Sequence, residues 1–364
     1  MSKRLVMKNL SVFENSNILI TGHTGFKGSW LTSLLLELGA NITGVSIDVP
    51  TDPSNFVVMG LQKKINHINL DVTNTPKLKK IIEDRQPDYI FHLAAQPLVR
   101  KSIKKPLETW NSNTLGTISV LESIKDLKRN CIVVFITSDK VYKNQEWAWG
   151  YRETDKLGGF DPYSASKASA ELAINSYVKT YFNNSNIRIG VGRAGNVIGG
   201  GDWGEDRIIP DCVKSWSQNK HVNIRCPLST RPWQHVLEPI FGYLTLALKL
   251  TTDNTLHGEA FNFGPSERNN HSVSDLVNEM SKYWDKVLWK DVSLTENVIN
   301  ESNLLKLNCD KAKMYLDWEA IWDFETTVKH TSNWYKEFYE NNKFQDLLID
   351  QIHIYIEQLK SINK

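Results

Sequence analysis

Long apolar runs are missing from this chain of 364 residues. None approaches the eighteen or more consecutive apolar side chains of a membrane-crossing helix, so no membrane span is expected. The segment Met1 to Asn17 carries lysines but no apolar h-region, so no secretory signal is expected and the cytoplasm is the expected location. Cysteine is scarce: Cys131, Cys212, Cys226 and Cys309 stand far apart and form no Cys-x-x-Cys pair, which fits reduced thiols buried as small apolar groups. The nine histidines lack metal-ligand spacing, so no metal site is expected. Charge excess is also lacking, with 43 Lys+Arg against 41 Asp+Glu and a formal net charge of +2, so a broad nucleic-acid footprint is excluded. There is no internal repeat and no low-complexity segment.

What the chain does contain is a glycine-rich turn, Thr21-Gly22-His23-Thr24-Gly25-Phe26-Lys27-Gly28, between the apolar run Asn17-Ile18-Leu19-Ile20 and a helix-like stretch from Ser29 to Leu38. Gly22 permits a tight turn, Gly25 lets a pyrophosphate approach the backbone, and Gly28 lets the helix pack close to its strand. A glycine triplet alone also occurs in ordinary turns. Here a second apolar run, Asn41 to Ile47, ends in Asp48, twenty residues after Gly28, where a carboxylate can take both hydroxyls of an adenosine ribose. Strand, turn, helix, strand and acid in that order point to a dinucleotide. No Arg or Lys accompanies Asp48 in Val49-Pro50-Thr51 to neutralise a 2'-phosphate, so NAD is expected over NADP.

Strand-like runs at 18–21, 41–47, 65–70, 88–93, 131–137 and 187–193 alternate with helix-like stretches at 28–39, 75–84, 107–126 and 163–182. That alternation predicts an α/β fold, a Rossmann-type doubly wound parallel sheet, over residues 15–195. After Gly195 the rhythm changes, with helix-like stretches near 209–218, 236–250, 272–284 and 325–341 separated by Gly- and Pro-rich loops. A smaller mixed substrate domain is expected over 196–340, with some later segments returning to the sheet. Apolar residues at helical spacing from Phe344 to Leu359 predict a C-terminal helix within 341–364.

Tyr163-Ser164-Ala165-Ser166-Lys167 puts a phenol and an ammonium on one helical face. Together with a positive nicotinamide ring, the lysine is expected to bring the phenol's pKa down far enough for it to accept a proton. The same spacing recurs at Tyr339 and Lys343, in a charged stretch that reads as solvated surface. Only Tyr163 follows an apolar strand, Cys131 to Ile136, whose end carries Thr137-Ser138-Asp139-Lys140. In a parallel sheet ligands sit beyond the carboxyl ends of the strands, which brings Ser138, Asp139 and Lys140 to the same mouth as the cofactor.

The stretches Thr21 to Leu31, His92-Leu-Ala-Ala-Gln96, Thr137 to Tyr142, Trp149-Gly-Tyr-Arg-Glu153, Asp161 to Lys167, Arg193-Ala-Gly-Asn-Val197, Gly200-Gly-Asp-Trp203 and Arg231-Pro-Trp-Gln-His-Val236 cover nearly the whole chain. In these the sequence resembles the extended short-chain dehydrogenase/reductases and, among them, the nucleotide-sugar 4,6-dehydratases that act on CDP-glucose. The resemblance implies internal redox chemistry with NAD. Tyr163 would take the C4 hydroxyl proton, Lys167 would hold the nicotinamide ribose, Ser138 would bond the C4 oxygen, and a protonated Asp139 would serve the departing C6 hydroxyl. Lys140 replaces the glutamate of related dehydratases and would either remove the C5 proton or stabilise an enolate.

The same resemblance assigns Gly22, Thr24, Gly25, Phe26, Lys27, Gly28, Asp48, Asp71, Val72, Leu93, Ala94, Ala95 and Gln96 to the cofactor. Asn196, Arg207, Arg231 and His235 would go to the substrate. Trp149, Trp203 and Trp233 could face a base or sugar, or close a domain interface. A homo-oligomer, dimer or tetramer, is implied, pairing through 107–126 and 163–182. The alternatives are a nucleotide-sugar 4-epimerase, for which Asp139 and Lys140 would be idle, and a non-catalytic NAD-binding regulator, for which Tyr163 and Lys167 would be.

Overall fold

The protein is described by a computed structural model covering residues 10–266, 271–285, 287–293, 304–341 and 344–362. The six expected strands form as β1 (Asn17–Thr21), β2 (Asn41–Ser46), β3 (Asn66–Asn69), β4 (Tyr89–His92), β5 (Cys131–Ile136) and β6 (Ile187–Ala194). A seventh, β7 (Ala260–Phe263), joins the edge of β6, and the order is β7-β6-β5-β4-β1-β2-β3 with every pairing parallel. Period-two alternation sends Ile18 and Ile20 into the core on one face and Leu19 into the core on the other, and Val134 and Ile136 lie opposite Val133 and Phe135. Both faces are therefore covered, as a parallel sheet requires.

One face carries α1 (Phe26–Glu37) and the other α2 (Thr75–Arg85), α3 (Gly116–Ile124) and α4 (Pro162–Tyr177). The stretch expected as one helix from 107 to 126 runs without a break from Pro106–Trp110 through a π turn at Asn111–Leu115 into α3, and α4 likewise runs on into a second π turn at Val178–Phe182. Beyond residue 196 come α5 (Ile208–Ser217), α6 (Leu237–Leu250), α7 (Val273–Met280), α8 (Phe324–Glu340) and α9 (Phe344–Ile362). Of these, α6 packs directly on β5 and β6, on the same face as α1. Short ladders pair Val197–Ile198 with Gln234–His235, Thr230–Arg231 with His271–Ser272, and Val222–Ile224 with Trp289–Asp291. In α9, Phe344, Leu348, Ile352 and Tyr355 are the buried stripe that the helical spacing anticipates. Among the described residues no helix is long and apolar enough to cross a membrane.

Glu238, in the first turn of α6, is wholly enclosed and accepts hydrogen bonds from the Trp322 N–H at 2.8 Å, the Ile321 N–H at 3.1 Å and the Tyr355 hydroxyl at 2.5 Å. Burial pushes its carboxyl from 4.5 up to about 7, against these donors. Between those two pH values the native protein keeps a proton that the unfolded chain releases, so stability falls as pH rises through this window. Glu238→Gln is expected to flatten that part of the stability profile, worth on the order of 1–3 kcal/mol. Urea titrations at a series of pH values measure it, and an unchanged slope would reject the titration of Glu238.

Candidate active site

The glycine turn leaves β1 through Gly22, whose φ of +75° suits glycine, and a Cβ there would lie 2.6 Å from the Ala94 nitrogen. At Gly28 a Cβ would lie 2.1 Å from the Gly22 oxygen, so close packing of α1 on the turn demands glycine. Gly25 differs: the nearest atom to an added Cβ is 3.4 Å away, which leaves its outer side open to a ligand. Gly25 is the N-cap of α1 and makes no side-chain cap, so the first N–H groups of the helix face the cleft as anion donors. Thr24 Oγ1 donates to the Asp48 carbonyl at 2.7 Å, which fixes the end of β2 against the turn. Together these features fit a dinucleotide pyrophosphate and ribose.

A cleft of about 1700 Å³ runs from this turn across the carboxyl ends of the strands. Gly22, Thr24, Gly25, Phe26, Lys27, Gly28, Asp48, Asp71, Val72, Leu93, Ala94, Ala95 and Gln96 all line it, as do Ser138, Asp139, Lys140, Tyr163, Lys167, Asn196, Arg207 and Arg231. Gln96 is held there by Asn113, whose amide oxygen accepts from the Gln96 N–H at 2.8 Å and whose amide nitrogen donates to Ser166 Oγ at 2.9 Å. Asn113 sits in the π turn and ties the end of β4 to α4, a role that its place in the polar run Asn111-Ser112-Asn113-Thr114 does not single out.

Ser138 caps the short turn Asp139–Val141 that follows β5, its Oγ accepting from the Lys140 N–H at 3.2 Å and donating to Asp139 Oδ1 at 2.9 Å. Burial raises the Asp139 carboxyl, while the charges of Lys140 and Lys27 and the Ser138 hydroxyl oppose the rise. Asp161 caps α4 and brings Tyr163 into its first turn, with Lys167 one turn on. Lys167 Nζ donates to the Ile136 carbonyl at 3.3 Å, and burial lowers its pKa to about 8 while Glu171 pulls it up. Enclosure pushes the Tyr163 phenol up to about 12, with the charges of Asp139 and Asp161 adding to the rise and the hydrogen bond with Ser138 and the charge of Arg207 opposing it.

His235 does not reach the cleft. Its ring is fully buried between Trp30 and Trp322, with centroids at 5.4 and 4.7 Å, and its Nδ1 accepts from the Leu237 N–H at 3.3 Å. Its partnership in the Val197–Ile198 ladder turns it into the core, where it packs and does not meet the substrate as expected. Trp203 and Trp233 line the cleft but are buried, Trp203 against Trp334, Tyr335 and Phe338, while exposed Trp149 lies tilted against Trp147 outside it. Tyr339 packs on Trp284 and Phe338, and its sequence partner Lys343 lies outside the described residues. Arg100 and Arg225, which no motif marked, also line the cleft and face Asp206 at 2.8 and 3.7 Å. Arg207 is paired with Asp202 at 2.6 Å.

The architecture matches solved structures closely in shape. An epimerase of Methanothermobacter thermautotrophicus superposes with a TM-score of 0.79 at 22% identity, covering 93% of this chain and 97% of that one. A Bacillus anthracis dTDP-glucose 4,6-dehydratase in complex with NAD gives 0.75 at 23% identity, covering 92% and 99%. At these identities the likeness concerns the fold. In sequence, the chain is 43% identical over 350 residues to the CDP-glucose 4,6-dehydratase of Salmonella typhimurium, covering 94% of this chain and 96% of that protein. It is 26% identical to the dTDP-glucose 4,6-dehydratase of the same organism, covering 87% and 92%. The family model for GDP-mannose 4,6 dehydratase matches residues 19–331, and with the phosphate turn, the Tyr163–Lys167 pair and the seven-stranded parallel sheet in place, the chain belongs to that family.

Proposed function

We propose that the protein is a hydro-lyase that converts CDP-D-glucose to CDP-4-dehydro-6-deoxy-D-glucose with NAD as a recycled cofactor, serving deoxysugar synthesis for surface polysaccharide such as lipopolysaccharide. The observation that carries this reading is the buried carboxyl of Asp139, raised by its surroundings, in the same cleft as Tyr163 and Lys167. A 4-epimerase has no use for an acid beside a C6 hydroxyl, and a non-catalytic regulator has no use for the tyrosine and lysine. The 43% identity to a CDP-glucose enzyme over nearly the full length supports the choice of nucleotide.

Gly22, Thr24, Gly25, Phe26, Lys27, Gly28, Asp48, Asp71, Val72 and Leu93 to Gln96 would hold NAD, which when bound supplies a hydride acceptor for C4 and donor for C6. Tyr163 takes the C4 hydroxyl proton as the ketone forms. Lys167, with its pKa of about 8, is largely charged at pH 7 and, one helical turn from Tyr163, would favour the phenolate once the nicotinamide is in place. The C4 ketone acidifies the proton on C5, which is why oxidation must precede loss of hydroxide. Asp139, whose burial favours the protonated carboxyl, gives its proton to the departing C6 oxygen, and Lys140 removes the C5 proton or stabilises the enolate. Asn196, Arg207 and Arg231 meet the diphosphate and sugar. Residues 15–195 carry the cofactor and 196–340 mainly the substrate. The cytoplasm is the proposed location and a homo-oligomer, dimer or tetramer, the proposed assembly, paired through 107–126 and 163–182.

The test is CDP-glucose deuterated at C4. The product is expected to be the 4-keto-6-deoxy sugar with one deuterium at C6 and no net reduced cofactor released, read by mass spectrometry and proton NMR. Deuterium kept at C4 of an inverted sugar would establish an epimerase instead.

A further inference from the structure

We infer that the buried pair Glu171–Arg193 is a positioning device that grips both ends of the Ser138–Val141 turn. Thr137, the residue before the turn, donates from Oγ1 to Glu171 Oε1 at 2.6 Å. Tyr142, the residue after it, accepts at Oη from Arg193 Nη1 at 2.7 Å, with the guanidinium 4.9 Å from its ring centroid. Glu171 and Arg193 join each other through Arg193 Nε, at 2.9 and 3.0 Å from the two carboxylate oxygens, and through Arg193 Nη2. Neither lines the cleft, whereas Thr137 and Tyr142 both do, so the pair acts on the site only through them. Tyr142 passes the restraint outward by donating to Asn262 Oδ1 on β7 at 2.7 Å. Glu171 lies one helical turn beyond Lys167, so the same carboxylate that holds the front of the turn also favours the charged lysine.

Such a clamp matters because the turn carries the acid of the elimination while the helix carries the base of the oxidation, and their spacing must survive both steps. Loosening the turn is therefore expected to slow elimination more than oxidation. This rests on the proposed dehydratase reaction.

The test uses Thr137→Val and Tyr142→Phe, which remove one grip each and leave the ion pair intact. Hydrogen exchange of the ligand-free protein is expected to quicken at the amides of 138–142 in both. With CDP-glucose and NAD, kcat is expected to fall about ten- to a hundredfold with KM little changed, and absorbance of enzyme-bound reduced cofactor to rise. Thr137→Ser, which keeps the hydroxyl, is expected to restore both readouts. Exchange and kcat unchanged in the two variants would overturn the clamp, as would equal losses in the serine and valine variants. If the unmodified protein forms no 4-keto product, the proposed reaction fails, and the exchange measurement still decides the clamp.

Discussion

Asp139→Asn is expected to lower the overall turnover of CDP-glucose by about 10²–10⁴-fold, the range that a positioned general acid contributes. The amide keeps the size of the carboxyl and a contact with Ser138 Oγ, now at 2.9 Å from Oδ1, but has no proton to give to the C6 oxygen. Oxidation at C4 depends on Tyr163 and Lys167, which the change leaves in place. The variant should therefore show the absorbance of reduced cofactor on the enzyme, rising with substrate and then standing still, without 4-keto-6-deoxy product. Stopped-flow absorbance with product analysis checks both halves. Normal turnover in Asp139→Asn would remove Asp139 from the chemistry and leave its raised pKa a by-product of burial.

Arg193→Met is expected to cost about 3–5 kcal/mol of stability, because it strands a buried carboxylate without its counter-charge. Arg193 is only 3% exposed and Glu171 5%, so water cannot replace the lost partner. The same guanidinium serves Glu171, the Tyr142 hydroxyl and the Glu153 carbonyl at 3.1 Å, and a lysine ammonium cannot span that fork, so Arg193→Lys should recover only part of the loss. Chemical denaturation of the three proteins measures the order. A methionine variant as stable as the parent would mean that Glu171 finds other donors or becomes neutral at little cost.

The sheet is legible because β1, β2, β4, β5 and β6 are apolar runs separated by helical periodicity, and the phosphate turn because glycine has a steric role at Gly22 and Gly28, where backbone atoms come too close for a Cβ. β7 carries no such signal: Asn262 interrupts its apolar residues, and it lies beyond Gly195, where the alternation of strands and helices stops. That asparagine is buried and spends its side chain on Tyr142, the Tyr151 carbonyl and the Asn308 carbonyl, contacts that no local pattern announces. His235 looked like a ligand contact because it sits in a matching motif, yet a motif fixes neighbours along the chain and not the face on which a side chain emerges. For Tyr163, spacing shows the lysine four residues away but not the depth at which the phenol is enclosed. The Glu171–Arg193 pair joins residues twenty-two positions apart and leaves no trace in spacing.

The position of β7 in the chain has a consequence for how the molecule is made. Ala260 pairs with Val191 and Phe263 with Ala194, so the outer edge of β6 stays unpaired until nearly seventy further residues have left the ribosome. An eight-residue strand, buried at all but one position in the finished protein, would spend that interval as an open edge, the kind of surface that recruits other chains. The cofactor-binding half cannot finish before the segment that follows it is synthesised, and the Tyr142–Asn262 bond, which anchors the reactive turn, has to wait for the same segment. Truncation after residue 195 would accordingly yield an aggregating fragment in place of a smaller nucleotide-binding protein.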